Sequence, residues 1–209
     1  MYLFIVTIIA MIIYMCVDLK KSLHMLQQNW YNDGNRYLKW INNNSKFVFC
    51  WFDFLYIIIF LFSLIFNNTV ISIIFTVYYL IIAYLLRSMQ KKEQVKKPLA
   101  VTSRVKRLCV TIFILYFIPI LFMFIYFDYE LIPIYYLIIG TMIYFNYHIV
   151  YLANIINKPV EKCVYLYYKT KATRRLKTLK NMETIAVTGS YGKTSTKNII
   201  SDILNVRYM

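Results

Sequence analysis

LCVTIFILYFIPILFMFIYF, Leu108 to Phe127, is twenty residues long and carries no charged side chain. As a helix rising about 1.5 Å per residue it covers roughly 30 Å, the hydrocarbon thickness of a bilayer. Four other stretches read the same way: Met1 to Val17, Phe47 to Phe66, Thr69 to Leu86 and Leu131 to Ala153. Across 209 residues, 60% are hydrophobic and 19% aromatic, more than a soluble core of this size buries. The expected fold is therefore an α-helical polytopic membrane region of five transmembrane helices over residues 1–153.

The chain holds 24 Lys and Arg against nine acids, a formal charge of +15. Such a charge suits a nucleic-acid partner only if the cations share a face, and here they fall between the apolar runs. Residues 18–46 carry Lys20, Lys21, Arg36, Lys39 and Lys46; residues 87–107 carry Arg87, Lys91, Lys92, Lys96, Lys97, Arg104, Lys106 and Arg107. The two short connections, Asn67-Asn68 and Asp128-Tyr129-Glu130, carry none. Under the positive-inside rule the basic connections are cytoplasmic, which places the N-terminus outside and everything after the fifth span in the cytoplasm. Met1 to Val17 has its charge after the apolar run and no small-residue cleavage site, so it reads as an uncleaved anchor and not a secretory signal.

Within residues 18–46, Leu19, Leu23, Leu26 and Trp30 form one stripe of a helix, which Asp33-Gly34 ends. Arg36 to Ile41 mixes cations with aromatics, as an interfacial helix does; a helix packed on neighbouring protein has the same pattern. Asp53 and His148 are ionisable residues inside apolar runs, about one to two turns from the cytoplasmic ends. They either pair or reach headgroup water separately. Pro119 lies inside the fourth run, and Pro133 suits the first turn of the fifth. Cys16, Cys50, Cys109 and Cys163 show no metal or redox spacing and read as buried, reduced thiols. No relay of charges or matched broken helices points to a transporter.

Residues 154–181 form a basic juxtamembrane linker with Lys158, Lys162, Lys169, Lys171, Arg174, Arg175, Lys177 and Lys180 against the single acid Glu161. Pro159 is expected to start its helix, with Val160 and Val164 on one side. Such a run suits anionic lipid headgroups, and equally a solvated basic helix.

Residues 182–209 then change character. Thr184 to Lys197, TIAVTGSYGKTSTK, runs a short apolar strand (Ile185, Ala186, Val187) into a glycine turn and a Lys-Thr helix start. Gly189 and Gly192 let backbone approach a ligand, and the helix N-terminus opened by Lys193 and Thr194 favours an anion. Asn198 to Leu204 has helical apolar spacing, and Asn205 to Met209 is expected to enter a second strand. The result is the start of an α/β P-loop ATP-binding domain.

A common Walker A loop has its first glycine five positions before the second; here that place is held by Val187. The shortened loop resembles the Mur ligase family, whose T-G-[ST]-x-G-K-T-[ST] signature is matched by Thr188 to Ser195. Ser190, Tyr191 and Thr196-Lys197 are most similar to the branch that adds D-alanyl-D-alanine to a muramoyl tripeptide. The likeness covers about the last tenth to eighth of the chain. It implies an ATP-dependent amide ligase of bacterial cell-wall peptidoglycan synthesis: a substrate carboxylate attacks the γ-phosphate to form an acyl phosphate, and an amine then displaces phosphate. By that resemblance Gly189, Ser190, Tyr191, Gly192, Lys193, Thr194 and Ser195 bind ATP, Lys193 is the catalytic cation on the β/γ-phosphates, and Thr194 ligates Mg²⁺. The partners implied are the bilayer, a cell-wall precursor and an amino acid or dipeptide, with no nucleic acid.

Two departures accompany the likeness. The family's N-terminal uridine-nucleotide domain has five membrane helices in its place, and the metal-binding acid, the carbamylated lysine and the amine-binding domain are expected beyond Met209. Alone, the chain is expected to be inactive. A membrane-bound poly-glutamate or capsule ligase of the same superfamily, and a nucleotide-binding membrane scaffold without catalysis, are the alternatives.

Overall fold

The computed structural model describes residues 2–31, 36–49, 51–63, 65–92, 98–126, 132–179 and 185–208, and among these the regular structure is entirely helical. In order come α1 (Tyr2–Gln28), α2 (Arg36–Asn43), α3 (Ser45–Val48), a 3-10 turn (Trp51–Phe54), α4 (Leu55–Phe62), α5 (Asn68–Lys92), α6 (Ser103–Tyr126), α7 (Ile132–Tyr144), α8 (Asn146–Thr178) and α9 (Lys193–Tyr208). The chain forms two compact units, Met1–Cys163 and Val164–Met209.

In the first unit, α1, α5 and α6 are each long and apolar enough to cross a membrane, and α7 with α8 makes a fourth candidate if the bent pair is one span. Their outward faces are apolar: Ile5, Ile9 and Ile12 on α1, Ile73, Val77 and Ile81 on α5, Phe113, Phe117 and Leu121 on α6 are all exposed. An apolar exterior of this extent belongs in lipid. The inward faces build two clusters. One joins α1, α4, α5 and α7 through Met11, Tyr56, Phe75 and Tyr136; the other joins the end of α1, α2, α6 and α8 through Leu26, Tyr37, Leu108 and Val150. Small polar groups close the first contact: the Thr7 hydroxyl donates to the Ser72 carbonyl at 3.0 Å, and the Ser72 and Tyr136 hydroxyls meet at 2.8 Å. Since lipid is as apolar as the helix faces, such short hydrogen bonds and close packing hold membrane helices together.

The three basic segments meet at one end of this unit. Gln27 and Ala100 exchange two hydrogen bonds of 3.0 Å, Arg104 lies 4.1 Å above the Tyr31 ring, the Asn154 amide donates to the Tyr31 carbonyl, and Arg107 pairs with Glu161 at 2.7 Å.

Several expectations change. The run Phe47 to Phe66 is no continuous helix: α3 ends at Val48, the backbone of Phe49 leaves the helical region, and α4 has eight residues, about 12 Å, too short to span alone. The run Leu131 to Ala153 breaks at Phe145 with a 68° bend, and hydropathy does not register where backbone hydrogen bonding is interrupted. The stripe from Leu19 is no separate helix, because α1 continues through it. Leu23 and Leu26 are buried, whereas Trp30, past the helix end at φ 62°, is 79% exposed. Helix α2 packs on protein through Tyr37 and Ile41 while Arg36 and Lys39 stay exposed. Pro159 lies inside α8 and does not start it. Cys16, Cys109 and Cys163 are free but exposed, since the faces that carry them point away from the packed interior. Asp33-Gly34, Cys50 and Asp128-Tyr129-Glu130 lie outside the described residues.

Candidate functional site

The sequence places its site at 184–197, and within the second unit this segment is a loop running into α9. Thr184 lies outside the described residues. Ile185 to Val187 carry no regular structure, with Ile185 exposed, and form no strand among the described residues; a strand needs a neighbour to take its backbone groups, and none of the described residues is paired with it. The strand expected at Asn205 to Met209 is likewise corrected. Helix α9 runs on to Tyr208, in keeping with the apolar spacing that Ile199, Ile200, Ile203 and Leu204 continue.

Both glycines of the motif have positive φ. Gly189 has φ 151° and Gly192 φ 74°, a backbone region L side chains rarely adopt. At Gly192 a Cβ would meet open space, so conformation and not room selects glycine there. Helix α9 opens at Lys193, and its Nζ reaches back to donate to the carbonyl of Gly189, closing the loop on itself. The Thr196 N–H already bonds the Gly192 carbonyl at 2.9 Å, while the N–H groups of the preceding turn have no intrahelical acceptor. Ser190, Tyr191 (96% exposed), Thr194 and Ser195 are all exposed. The seven residues Gly189 to Ser195 thus come together as one accessible loop with a cation folded across it and a helix N-terminus beneath.

The first unit holds a second polar centre, at which Asp53 and His148 take different neighbours. The Asp53 carboxylate accepts from the Tyr14 hydroxyl at 2.5 Å. His148 stacks on Phe49 and faces Phe145, with its Nδ1 buried and without a hydrogen-bond partner among the described residues. Asp53 shares instead a cavity of about 140 Å³ with Asp18, Tyr79 and Tyr147. Asp18 takes a 2.7 Å hydrogen bond from the Asn146 amide, whose oxygen accepts from Tyr116 at 3.1 Å. Buried carboxylates are retained only where donors replace water, and here α8 and α1 supply them.

Asp18 reads in the sequence as the first charge after a span, yet it is buried. The signal lay in helical spacing: Thr7, Met11, Tyr14, Asp18 and Ser22 follow at four, three, four and four residues and occupy one buried face of α1. Asn146 had no such signal, because its burial depends on the break beside it.

No family model, no curated protein and no solved structure matches this chain.

Proposed function

We propose that this helical membrane protein is the membrane-anchored, nucleotide-binding part of an ATP-dependent amide ligase of the Mur type, acting on a cell-wall precursor and resembling the branch that joins D-alanyl-D-alanine to a muramoyl tripeptide. The observation that carries the reading is the loop Gly189 to Ser195, whose signature residues combine two positive-φ glycines, a lysine folded across the turn and a helix N-terminus. These residues fit a triphosphate. Backbone N–H groups from Gly189 to Thr194 would cradle its oxygens, the Lys193 ammonium would exchange a carbonyl for phosphate, and the Thr194 hydroxyl would be one ligand of Mg²⁺. Bound Mg²⁺ supplies charge neutralisation between phosphates and completes its shell with phosphate oxygens and water, so the loop needs to offer only one oxygen.

The segregation of basic segments at one end of the first unit supports five crossings, with the broken stretches 45–66 and 132–153 each passing through the bilayer. With one crossing before residue 18, only an even number after it keeps 18–46, 87–107 and 154–181 on one face opposite the N-terminus: two crossings between 46 and 87 and two between 107 and 154. Under the positive-inside rule that face is cytoplasmic, in a bacterial cytoplasmic membrane. The exposed cations Lys169, Lys171, Arg174, Arg175 and Lys177, which follow exposed Tyr165, Tyr167 and Tyr168, suit anionic headgroups.

The test is titration of the detergent-solubilised chain with MgATP by calorimetry. Saturable binding is expected, and Lys193→Ala is expected to weaken it at least about a hundredfold by removing a charge-assisted contact. Absence of binding, or equal affinity in the variant, makes the loop a structural turn. In membranes of cells that make the protein, phosphate release from ATP with muramoyl tripeptide and D-alanyl-D-alanine, against release with glutamate, assigns the branch.

A further inference from the structure

We propose that the cavity between α1, the 3-10 turn, α5 and the α7–α8 break binds a small organic ammonium ion. The site is independent of the phosphate loop and of the ligase reading. Its walls carry Asp18, Asp53 and four tyrosines, Tyr14, Tyr79, Tyr144 and Tyr147, with aliphatic side chains filling the remainder. Two carboxylates converging on a space inside a membrane protein are costly to keep, and residues so placed face ligands or each other.

Each wall component selects for the same chemistry. Asp18 accepts from the Asn146 amide and from Tyr147 and has the Lys21 cation beside it, and Asp53 accepts from Tyr14; with about four lone-pair sites on every carboxylate and two carboxylates against one nearby cation, the pair can take further N–H groups. Tyr79 is only 2% exposed and lines the cavity, with no hydrogen-bond partner for its hydroxyl among the described residues. A buried hydroxyl in that position requires a partner, and a guest N–H supplies one. Tyrosine ring faces attract cations, most strongly those that have shed water. A bare divalent metal is served poorly here, because it takes six or more oxygens, and among the described residues no three His, Cys, Asp or Glu side chains gather to hold one. The largely carbon lining accepts instead the alkyl part of an amine. A cavity of about 150 Å³ admits a benzene-sized molecule, so the 140 Å³ here takes a guest of about six non-hydrogen atoms.

The experiment uses the whole chain in nanodiscs of phosphatidylglycerol, a lipid without an amine, titrated with n-butylammonium by calorimetry. Saturable one-to-one binding is expected, at least about tenfold tighter than for the neutral isostere n-butanol, because a charge-assisted contact is lost in the alcohol. Asp53→Asn is expected to weaken butylammonium at least about tenfold, and Tyr79→Phe severalfold, in variants that keep the helical circular dichroism of the parent. The alcohol comparison uses the parent protein alone and decides the matter even if the variants fail to fold. Absent saturation, equal affinity for butanol, equal displacement by sodium, or unchanged affinity in folded Asp53→Asn each overturns the proposal. Adding phosphatidylethanolamine to the nanodiscs identifies the source: competition assigns the site to a lipid headgroup, and its absence assigns it to a soluble amine.

Discussion

Asn146 shows what one side chain decides in this molecule. It is fully buried, donates to Asp18 and accepts from Tyr116, so it joins α8 to α1 and α6 through a single amide. Asn146→Leu keeps the volume and removes both functions, leaving Asp18 with one donor fewer in a medium where water does not replace it. The expected loss is about 1.5–3 kcal/mol, read as a lower unfolding midpoint in detergent. Tyr116→Phe removes the hydroxyl that donates to Asn146 at 3.1 Å and to the Met142 carbonyl at 3.2 Å but leaves the Asn146–Asp18 bond in place, and should lose about 1 kcal/mol. If the Asn146→Leu midpoint were no lower than that of the Tyr116 variant, the network would be decorative. The loop residues lie at the opposite extreme of legibility. Gly189, Gly192 and Lys193 were readable because their roles are local: positive φ and a lysine opening a helix follow from neighbours in the chain.

Among elements, helix existence was legible and continuity was not. Apolar runs predicted α1, α5 and α6 because lipid-facing and core-facing positions are both hydrophobic, and length alone identifies a span. The same uniformity conceals breaks, as at Phe49 and Phe145, where the ring of Phe49 packs against Tyr144 and Phe145. Helix α7 depends on close approach at Gly140: a Cβ there would lie 2.8 Å from the Tyr56 ring and 2.8 Å from the Tyr79 hydroxyl. Gly140→Ala is therefore expected to destabilise the first unit by about 1–3 kcal/mol through overpacking, although alanine is the better helix former. Thermal unfolding checks this, and Gly140→Ala combined with Tyr79→Phe should recover part of the loss by clearing one of the two contacts.

At the level of the whole molecule, basic segments meet at one end of the first unit, and the positive-inside rule leads us to propose that this end is cytoplasmic. A reporter fused after residue 181 is expected to be cytoplasmic; a periplasmic signal would invert the arrangement. By itself the sequence determined the membrane class, the distribution of charge and the glycine–lysine loop ahead of the last helix, all of which depend on composition or on residues within a few positions. Tertiary structure alone decided that Asp18 and Asp53 share a cavity, that Asp53 and His148 have different neighbours, and that two apolar runs are interrupted. Those facts arise from side chains separated by tens of residues, and hydropathy averages over a window the very positions where such contacts redirect the backbone.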